Sequence, residues 1–501
     1  MKVDSLVASL RRAVRGAVRT DAAELARVDR DGSHVRGRAI ASFAPADPDD
    51  VAAAVRWARR RAVPLVARGA GSSLDGESVP IAGGVVVDLS GWNRVREIRA
   101  DERLASVGPG VVNRDLQEAL RPAGLFFPPN PGSWTVATIG GNVGTNASGP
   151  RSFRYGPTRA WVRAVDLVLG TGERARWGTR TAKRSLGPDL LSAFVGSEGT
   201  LGIATEVTVR LAPLPRVRLG LVVPLPDRAP LAPVARELAR SPGTGLAAIE
   251  YLDARCAAEL SGPSGFERAG DGPLLLLEIE ADGADESTRR AERVRAVLSR
   301  VGVSRAPVVF DDADALWTLR GRASTALDAT LGERIREDIA VPLGEIDRMR
   351  TEVERIAARE SAPLYLFAHL GEGSLHPNFA VDPASARGER VRGAVLRAAL
   401  ALGGTISSEH GVGTLKIPFV EQEIGRAGLA VLRSVKRACD PDGILNPGKL
   451  YPPAPRRRAR ALSPSPSGSG AARARRASPN AEVRAGRAPG RASPRRRGAR
   501  P

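Results

Sequence analysis

Between Thr138 and Gly149 the chain reads Thr-Ile-Gly-Gly-Asn-Val-Gly-Thr-Asn-Ala-Ser-Gly, twelve residues with almost no side-chain bulk. A run like this brings little apolar surface to a core, yet its backbone N–H and C=O groups still need partners. A glycine-rich hairpin would supply them, and so would a planar ring laid against the bare backbone. An earlier segment, Arg68-Gly-Ala-Gly-Ser-Ser73, follows a short apolar stretch and is equally stripped down. Its N–H groups can converge on a pyrophosphate, although a tight structural turn would explain it as well. It is not a dinucleotide fingerprint, since Leu74 stands where the third glycine belongs, and no Gly-Lys-Ser/Thr follows to make a P-loop. A third such loop runs from Gly196 to Gly202.

The second informative feature is the distribution of histidine. Of four in the chain, His369, His376 and His410 fall within 42 residues. They lie in Phe367-Ala-His-Leu-Gly-Glu-Gly-Ser-Leu-His-Pro-Asn378 and Ser407-Ser-Glu-His-Gly-Val-Gly413. If a strand ends near His369 and the chain turns through Gly371-Glu-Gly373, both imidazoles can face one point. Glu409 then completes a His₂Glu set with open positions, which suits a catalytic divalent metal. His410 points elsewhere from Glu409 and is free to act as a base near neutral pH.

At 501 residues the chain is long enough for about three domains. A hydrophobic fraction of 42% and a mean hydropathy of −0.17 fit a globular protein with a sizeable core. No apolar run reaches the roughly 18 residues of a membrane helix. Residues Met1–Thr20 carry Arg11, Arg12, Arg15 and Arg19 without an apolar stretch, so they read as an ordinary first helix rather than a secretory signal. Cys256 and Cys439 form no metal or disulfide pattern and read as core fillers in a reducing, cytoplasmic setting. The net charge of +20 is concentrated at one end: residues 456–501 hold 14 arginines, no lysine and a single acid, Glu482. That tail is poor in apolar residues and lacks aromatics, so it reads as disordered. It could touch an anionic membrane surface peripherally, but it lacks the stacking residues for specific nucleic-acid recognition.

The coarse pattern gives helices at Ser5–Arg19, Val51–Arg61, Arg114–Arg121 (capped by Asn113) and Asp189–Phe194. Strands are expected at Val63–Val66, Gly84–Leu89, Ala105–Gly108 and Ala204–Leu211, with a hairpin pairing Val162–Leu169 and Arg174–Trp177. Pro213 and Pro215 mark a boundary. Beyond it, strands at Leu274–Glu280 and Leu364–His369 alternate with helices at Asp285–Val301, Glu345–Glu360 and Arg390–Leu402. That alternation predicts an α+β domain with an antiparallel sheet and helices on one face.

Taken together, Pro64–Leu89, Gly108–Gly149 with Arg151-Ser-Phe-Arg-Tyr-Gly156, and Leu186–Leu211 resemble the FAD-binding domain of the vanillyl-alcohol-oxidase/para-cresol-methylhydroxylase (PCMH) superfamily. The C-terminal half is similar to the FAD-linked oxidases of the glycolate oxidase, D-lactate dehydrogenase and D-2-hydroxyglutarate dehydrogenase group. Its motifs H-x-G-D-G-N-L-H, G-E-H-G-x-G and D-P-x-x-x-L-N-P-G-K appear as His369–His376, Ser408–Gly413 and Asp440–Lys449. Leu316–Arg320 and Glu337–Pro342 fit as well. Glu372, Ser374 and Ser408 depart from the pattern while leaving the presumed ligands intact.

The resemblance covers about residues 20–452. It implies an α+β fold: a lead-in over 1–44, a two-part FAD-binding domain over 45–215, a substrate and metal domain over 216–452, and the tail from 453. It places the pyrophosphate on Arg68, Gly69, Ala70, Gly71, Ser72 and Ser73. The flavin then lies along Thr138, Gly140, Gly141, Asn142, Gly144, Ser148 and Gly149, with Ile203 near the adenosine. Some members attach flavin through His or Cys. Neither occurs between His34 and Cys256, so noncovalent FAD is expected. The implied activity is metal-assisted oxidation of a 2-hydroxy acid to the 2-oxo acid, with zinc, manganese or iron on His369, His376 and Glu409, Arg320 clamping the substrate carboxylate and His410 as base. The electron acceptor (quinone, flavoprotein, cytochrome or oxygen) and the oligomeric state stay open. The rival reading is a same-fold flavoenzyme with non-redox net chemistry, similar to alkyl-dihydroxyacetone-phosphate synthase.

Because the tail cannot build a core, truncation after Pro455 is expected to leave turnover with an artificial acceptor unchanged. A loss above about tenfold in steady-state rate, near 1.4 kcal/mol in the barrier, would show that the tail reaches the active site.

Overall fold

The computed structural model describes residues 3–260, 270 and 272–452. The disorder expected for the basic tail lies outside the described residues. None of the helices described is long and apolar enough to cross a membrane.

The first of three main sheets has four strands in the order Ala17–Arg19, Ala39–Ala44, Gly84–Asp88 and Leu65–Arg68. The last three are parallel, so the chain needs a crossover, and Pro48–Arg61 supplies it. Asp47 caps that helix by accepting from the Asp50 N–H, and Pro48 opens it. Its Val51, Ala54, Val55, Trp57 and Ala58 pack on Val85 and Val87. The lead-in thus carries two strands of this sheet besides its helices. The first helix is shorter than the expected Ser5–Arg19 and spans Val3–Ala13. It stops because the N–H groups of Arg15 and Gly16 turn to the buried Asp50 carboxylate, at 2.7 and 2.7 Å. A Cβ on Gly16 would lie 2.1 Å from the Ala44 carbonyl oxygen.

A second, antiparallel sheet of five strands holds the expected hairpin Val162–Val168/Arg174–Gly178 and the strand Ile203–Arg210. Asn113 does not cap the helix that follows the strand Leu104–Val107 in the chain. It is the first helical residue and fully buried, and its amide donates to the Pro129 carbonyl. The small-residue run is neither hairpin nor extended: Ile139–Thr145 forms a short helix whose N-terminal Thr138 hydroxyl accepts from the Gly141 N–H. Its lack of bulk is required by packing, since a Cβ on Gly140 would sit 2.7 Å from Pro109. Gly149 has φ +122° and presses on the Asn130 carbonyl.

The C-terminal half is built on an eight-stranded sheet. Every pairing in it is antiparallel. The helices Leu231–Arg240, Ala284–Arg300, Ile346–Arg359 and Ala386–Ala401 cover one face, against Leu221, Val223, Leu275, Leu277 and Ile279. The other face is not open, as one-sided helix packing would have left it. Val222, Leu252, Leu274 and Leu276 pack there against the helices Ala254–Leu260 and Ala313–Leu331, with Cys256 as filler. Two-sided burial is why Leu274–Leu277 reads as an unbroken apolar run instead of alternating.

Along that second face the apolar residues give way to acids. Glu278 and Glu280 continue the row of Leu274 and Leu276, and Glu250 that of Leu252. All three are buried. Arg151 and Arg154 from the N-terminal half reach Glu278 and Glu280 at 3.3 and 3.0 Å, and the Tyr155 hydroxyl donates to Glu280. Buried carboxylates met by arginines therefore join the two halves where the cavity lies.

The buried Asp50 carboxylate accepts from the N–H groups of Arg15, Gly16 and Ala46. Asp50→Ala strands these donors and is expected to cost about 3 kcal/mol of stability, read from the denaturant midpoint. A shift below about 0.5 kcal/mol would show that water replaces the carboxylate.

Candidate active site

A single cavity of about 580 Å³ runs from the first glycine loop to the histidine cluster. At one end Gly69, Ala70, Gly71, Ser72 and Ser73 line it, followed by Thr138, Gly140, Gly141, Asn142 and Gly144. Asn142 Nδ2 and Ser197 Oγ are buried on its wall without a partner. Gly132 and Gly144 face open space where a Cβ would be. These features fit a flat ligand with hydrogen-bonding edges.

Four of the expected cradle residues have side chains that make other contacts or lie off the cavity wall. Arg68 lines the cavity, but its guanidinium lies beneath the loop and donates to the carbonyls of Arg27 and Arg30. It braces the loop: a Cβ on Gly71, at φ +71°, would strike that guanidinium at 1.9 Å. Ile203 is a core residue, while its neighbours Gly202 and Ala204 reach the cavity. Ser148 and Gly149 are not on the wall, and Ser148 instead donates to Glu409 Oε2 at 2.9 Å.

The other end of the cavity is the histidine cluster. Leu364–His369 and Ser374–Phe379 pair as a hairpin closed by Gly373 at φ +76°. Register sets His369 opposite Ser374 and Phe367 opposite His376, so both imidazoles lie on one face. The Nε2 atoms of His369, His376 and His410 stand 3.1, 3.5 and 3.9 Å from Glu409 Oε1. His369, His376 and Glu409 are all buried, with ligand atoms mutually within 4.8 Å. Two imidazoles and a carboxylate in that arrangement fit a divalent cation.

A carboxylate also stands behind each ring. Glu250, opposite His369 on the neighbouring strand, meets His369 Nδ1 at 2.5 Å. Its second oxygen takes the Arg320 guanidinium at 3.1 Å, which also lies 4.5 Å over the Phe367 ring. Asp338 lies 3.7 Å from His376 Nδ1 and 4.0 Å from His410 Nδ1. Neither Glu250 nor Asp338 was singled out from sequence. Glu250 had a legible signal: it is the one charge in the apolar strand Leu246–Leu252. Asp338 lay within a recognised segment but had no assigned role.

Electrostatics divides the cluster. Burial opposes charge on Glu409, yet the charge and hydrogen bond of His369 hold its carboxyl at about 2. Burial likewise opposes the His369 imidazolium, and Glu250 and Glu409 outweigh it, holding the group well above the usual histidine range. His376, pushed by burial and by the charge of His369, falls to about 3 and stays neutral. The Ser407–Gly413 loop is gripped from two sides. Asp338 accepts the Ser408, Glu409 and His410 N–H groups, and Glu198 accepts those of Val412 and Gly413 at 2.6 and 3.0 Å.

Fold and cavity together define a flavoprotein oxidoreductase with the two-domain PCMH-type architecture. The family descriptions "FAD binding domain" and "FAD linked oxidases, C-terminal domain" match residues 39–178 and 214–450. Glycolate oxidase subunit GlcD of Bacillus subtilis is 34% identical over 422 residues, covering 82% of this chain and 88% of that protein. D-2-hydroxyglutarate dehydrogenase of Stutzerimonas stutzeri is 32% identical, covering 87% and 96%. Among solved structures, p-cresol methylhydroxylase superposes with a TM-score of 0.75 at 16% identity, covering 89% of this chain and 96% of that one. Alkyldihydroxyacetonephosphate synthase follows at 0.71 and 18%, covering 89% and 85%, a likeness of fold alone. The chain belongs to the FAD-linked oxidases and binds FAD.

Gly144→Val would push two methyl groups into open cavity and is expected to raise the Kd for FAD at least about tenfold, near 1.4 kcal/mol of binding. Visible absorbance in an FAD titration measures it. An unchanged Kd would place the flavin elsewhere.

Proposed function

We propose that the protein oxidises a 2-hydroxy acid to the 2-oxo acid, with noncovalent FAD and a divalent metal held by His369, His376 and Glu409. The carrying observation is the convergence of three imidazole Nε2 atoms on Glu409 at the end of the FAD cavity. Sequence relatives at 30–34% identity support the reaction class, since glycolate oxidase and D-lactate dehydrogenase names recur among them. Noncovalent binding is inferred from the sequence, in which neither His nor Cys occurs between His34 and Cys256. We also assign the FAD-binding role to the segment 45–215 and the substrate and metal role to 216–452.

Bound FAD supplies an acceptor for two electrons and a hydrogen, and a bound zinc, manganese or iron ion supplies positive charge beside the substrate hydroxyl. The residues do the rest. Arg320 receives the substrate carboxylate: Glu250 and the Phe367 ring fix the guanidinium, and its further N–H donors suit a carboxylate. His410, partly exposed and lining the cavity, takes the hydroxyl proton on Nε2. The O–H electrons stay on oxygen and become the new C=O bond, while the C2–H bond breaks with both of its electrons. Phe367, stacked on His376 at 5.1 Å between centroids, excludes water from one side.

Anaerobic mixing with a panel of glycolate, D-lactate and D-2-hydroxyglutarate is expected to bleach the flavin with at least one. Failure with the whole panel, with alkyl-dihydroxyacetone phosphate formed instead without bleaching of the flavin, would replace this reading by the non-redox one. His369→Ala is expected to lose metal and activity together. His410→Ala should keep both cofactors and slow flavin reduction by roughly 10²–10⁴-fold, measured by stopped flow with elemental analysis. Metal loss in His410→Ala would overturn the division of roles between Glu409 and His410.

A further inference from the structure

The loop that carries Glu409 and His410 has a second arm, residues 411–414, and that arm rests on the FAD-binding half of the chain. Glu198, buried in the third glycine loop, accepts the Val412 and Gly413 N–H groups at 2.6 and 3.0 Å. The Thr414 N–H donates to the Asp75 carbonyl at 2.9 Å. A Cβ on Gly413, at φ +52°, would meet that same oxygen at 2.1 Å. A Cβ on Gly411, at φ +99°, would lie 2.8 Å from Glu77 Oε1 and 2.9 Å from Glu198 Oε1. The arm is seated against the FAD loops with no room for a side chain at either glycine.

The residues that seat it belong to loops that line the FAD cavity. Leu74, Glu77 and Ser78 continue the first glycine loop along the wall, with Asp75 between them, and Ser197, Glu198 and Gly199 form another stretch of it. The Asn446 amide donates to the carbonyls of Glu77 and Glu198, at 2.8 and 2.7 Å, and ties the two loops together. The Glu198 N–H donates to the Gly144 carbonyl at 2.8 Å, which joins the third loop to the small-residue helix. Glu198 itself takes φ +53°, a left-handed conformation uncommon outside glycine. Its flanking residues stay on the cavity wall while its carboxylate meets the histidine loop.

We infer that Glu198 is a positioning residue that couples the FAD cavity to the metal ligand Glu409, so that FAD and the divalent cation each bind more tightly when the other is present. A ligand lying against one side of the cradle loops restrains them, and the histidine loop packed on their other side is restrained with them. Freedom already given up for one ligand is not lost again for the second. The effect is equal in both directions by linkage. Two other side chains hold the histidine loop. Asp338 accepts the Ser408, Glu409 and His410 N–H groups from the C-terminal half. Ser148 donates to Glu409 itself. Of the three, Glu198 alone also lines the cavity.

The inference rests on the proposed metal site, and its test separates the two. Full-length protein loaded with FAD and zinc is diluted, and FAD release is followed by the rise in flavin fluorescence, with zinc either saturating or removed by a chelator. In the unsubstituted protein zinc is expected to slow release at least about fivefold. Equal rates in the two conditions would overturn the inference without need of any variant. Glu198→Gln keeps the size of the side chain and one acceptor oxygen but sets an amide against the second N–H. It is expected to bind FAD and zinc while the effect of zinc on release falls below about twofold. Ser148→Ala also removes a contact of the loop and is expected to keep the full effect. A Glu198→Gln protein that retains the effect, or a Ser148→Ala protein that loses it, would route the coupling through Glu409 itself and sink the role of Glu198. Protein that holds FAD but takes up no zinc, manganese or iron would refute the metal site and the inference with it. Zinc bound without effect on FAD release would refute the inference alone.

Discussion

The site depends on how much negative charge can be buried around three imidazoles. Glu250, Asp338 and Glu409 are all removed from water, and an isolated buried carboxylate costs several kcal/mol. Each is tolerated because it is surrounded by donors. Glu250 meets an imidazole and a guanidinium, Asp338 three backbone N–H groups, and Glu409 His369 and a serine hydroxyl. The geometry is over-determined as a result: moving Glu250 or Glu409 strands donors on two separate segments, and moving Asp338 releases the loop that bears Glu409 and His410. That restraint holds a cluster of titratable groups in one arrangement at the end of a cavity whose other end is lined by loops of small residues.

Much of this was legible because local rules carried it. The turn through Gly371–Gly373 placed His369 and His376 on one face of a hairpin, as period-two alternation requires. The absence of bulk at Thr138–Gly149 marked a close approach, although the approach is made by a short helix and one of its reasons is Pro109. What stayed hidden was set by partners far along the chain. The Ser5–Arg19 pattern is helical throughout, and only Asp50, about 35 residues on, stops it. Leu274–Leu277 was read as a strand but not as evidence for helices on both faces.

The same limit applies to individual roles. The resemblance groups Arg68 with the pyrophosphate loop, and only the fold shows that its guanidinium donates to the carbonyls of Arg27 and Arg30. Ser148 belonged by position to the flavin run and by contact to Glu409. Glu250 reaches His369 across 119 residues, so no local motif could have connected them. Pairings of this kind are decided by strand order, which no window of sequence contains.

The seam between the N- and C-terminal halves has little play. Phe153 lies beneath Gly371 so closely that one added methyl would overlap its ring at 2.6 Å. Beside it the Ser152 hydroxyl meets Glu372, and Ser148 meets Glu409. These three contacts tie residues 148–153 to residues 371–372 and 409. Traffic into the cavity then falls to the side chains at its mouth, where Trp134 and Val136 stand exposed. A substitution there would change the width of the doorway without disturbing a buried contact, unlike one at the seam.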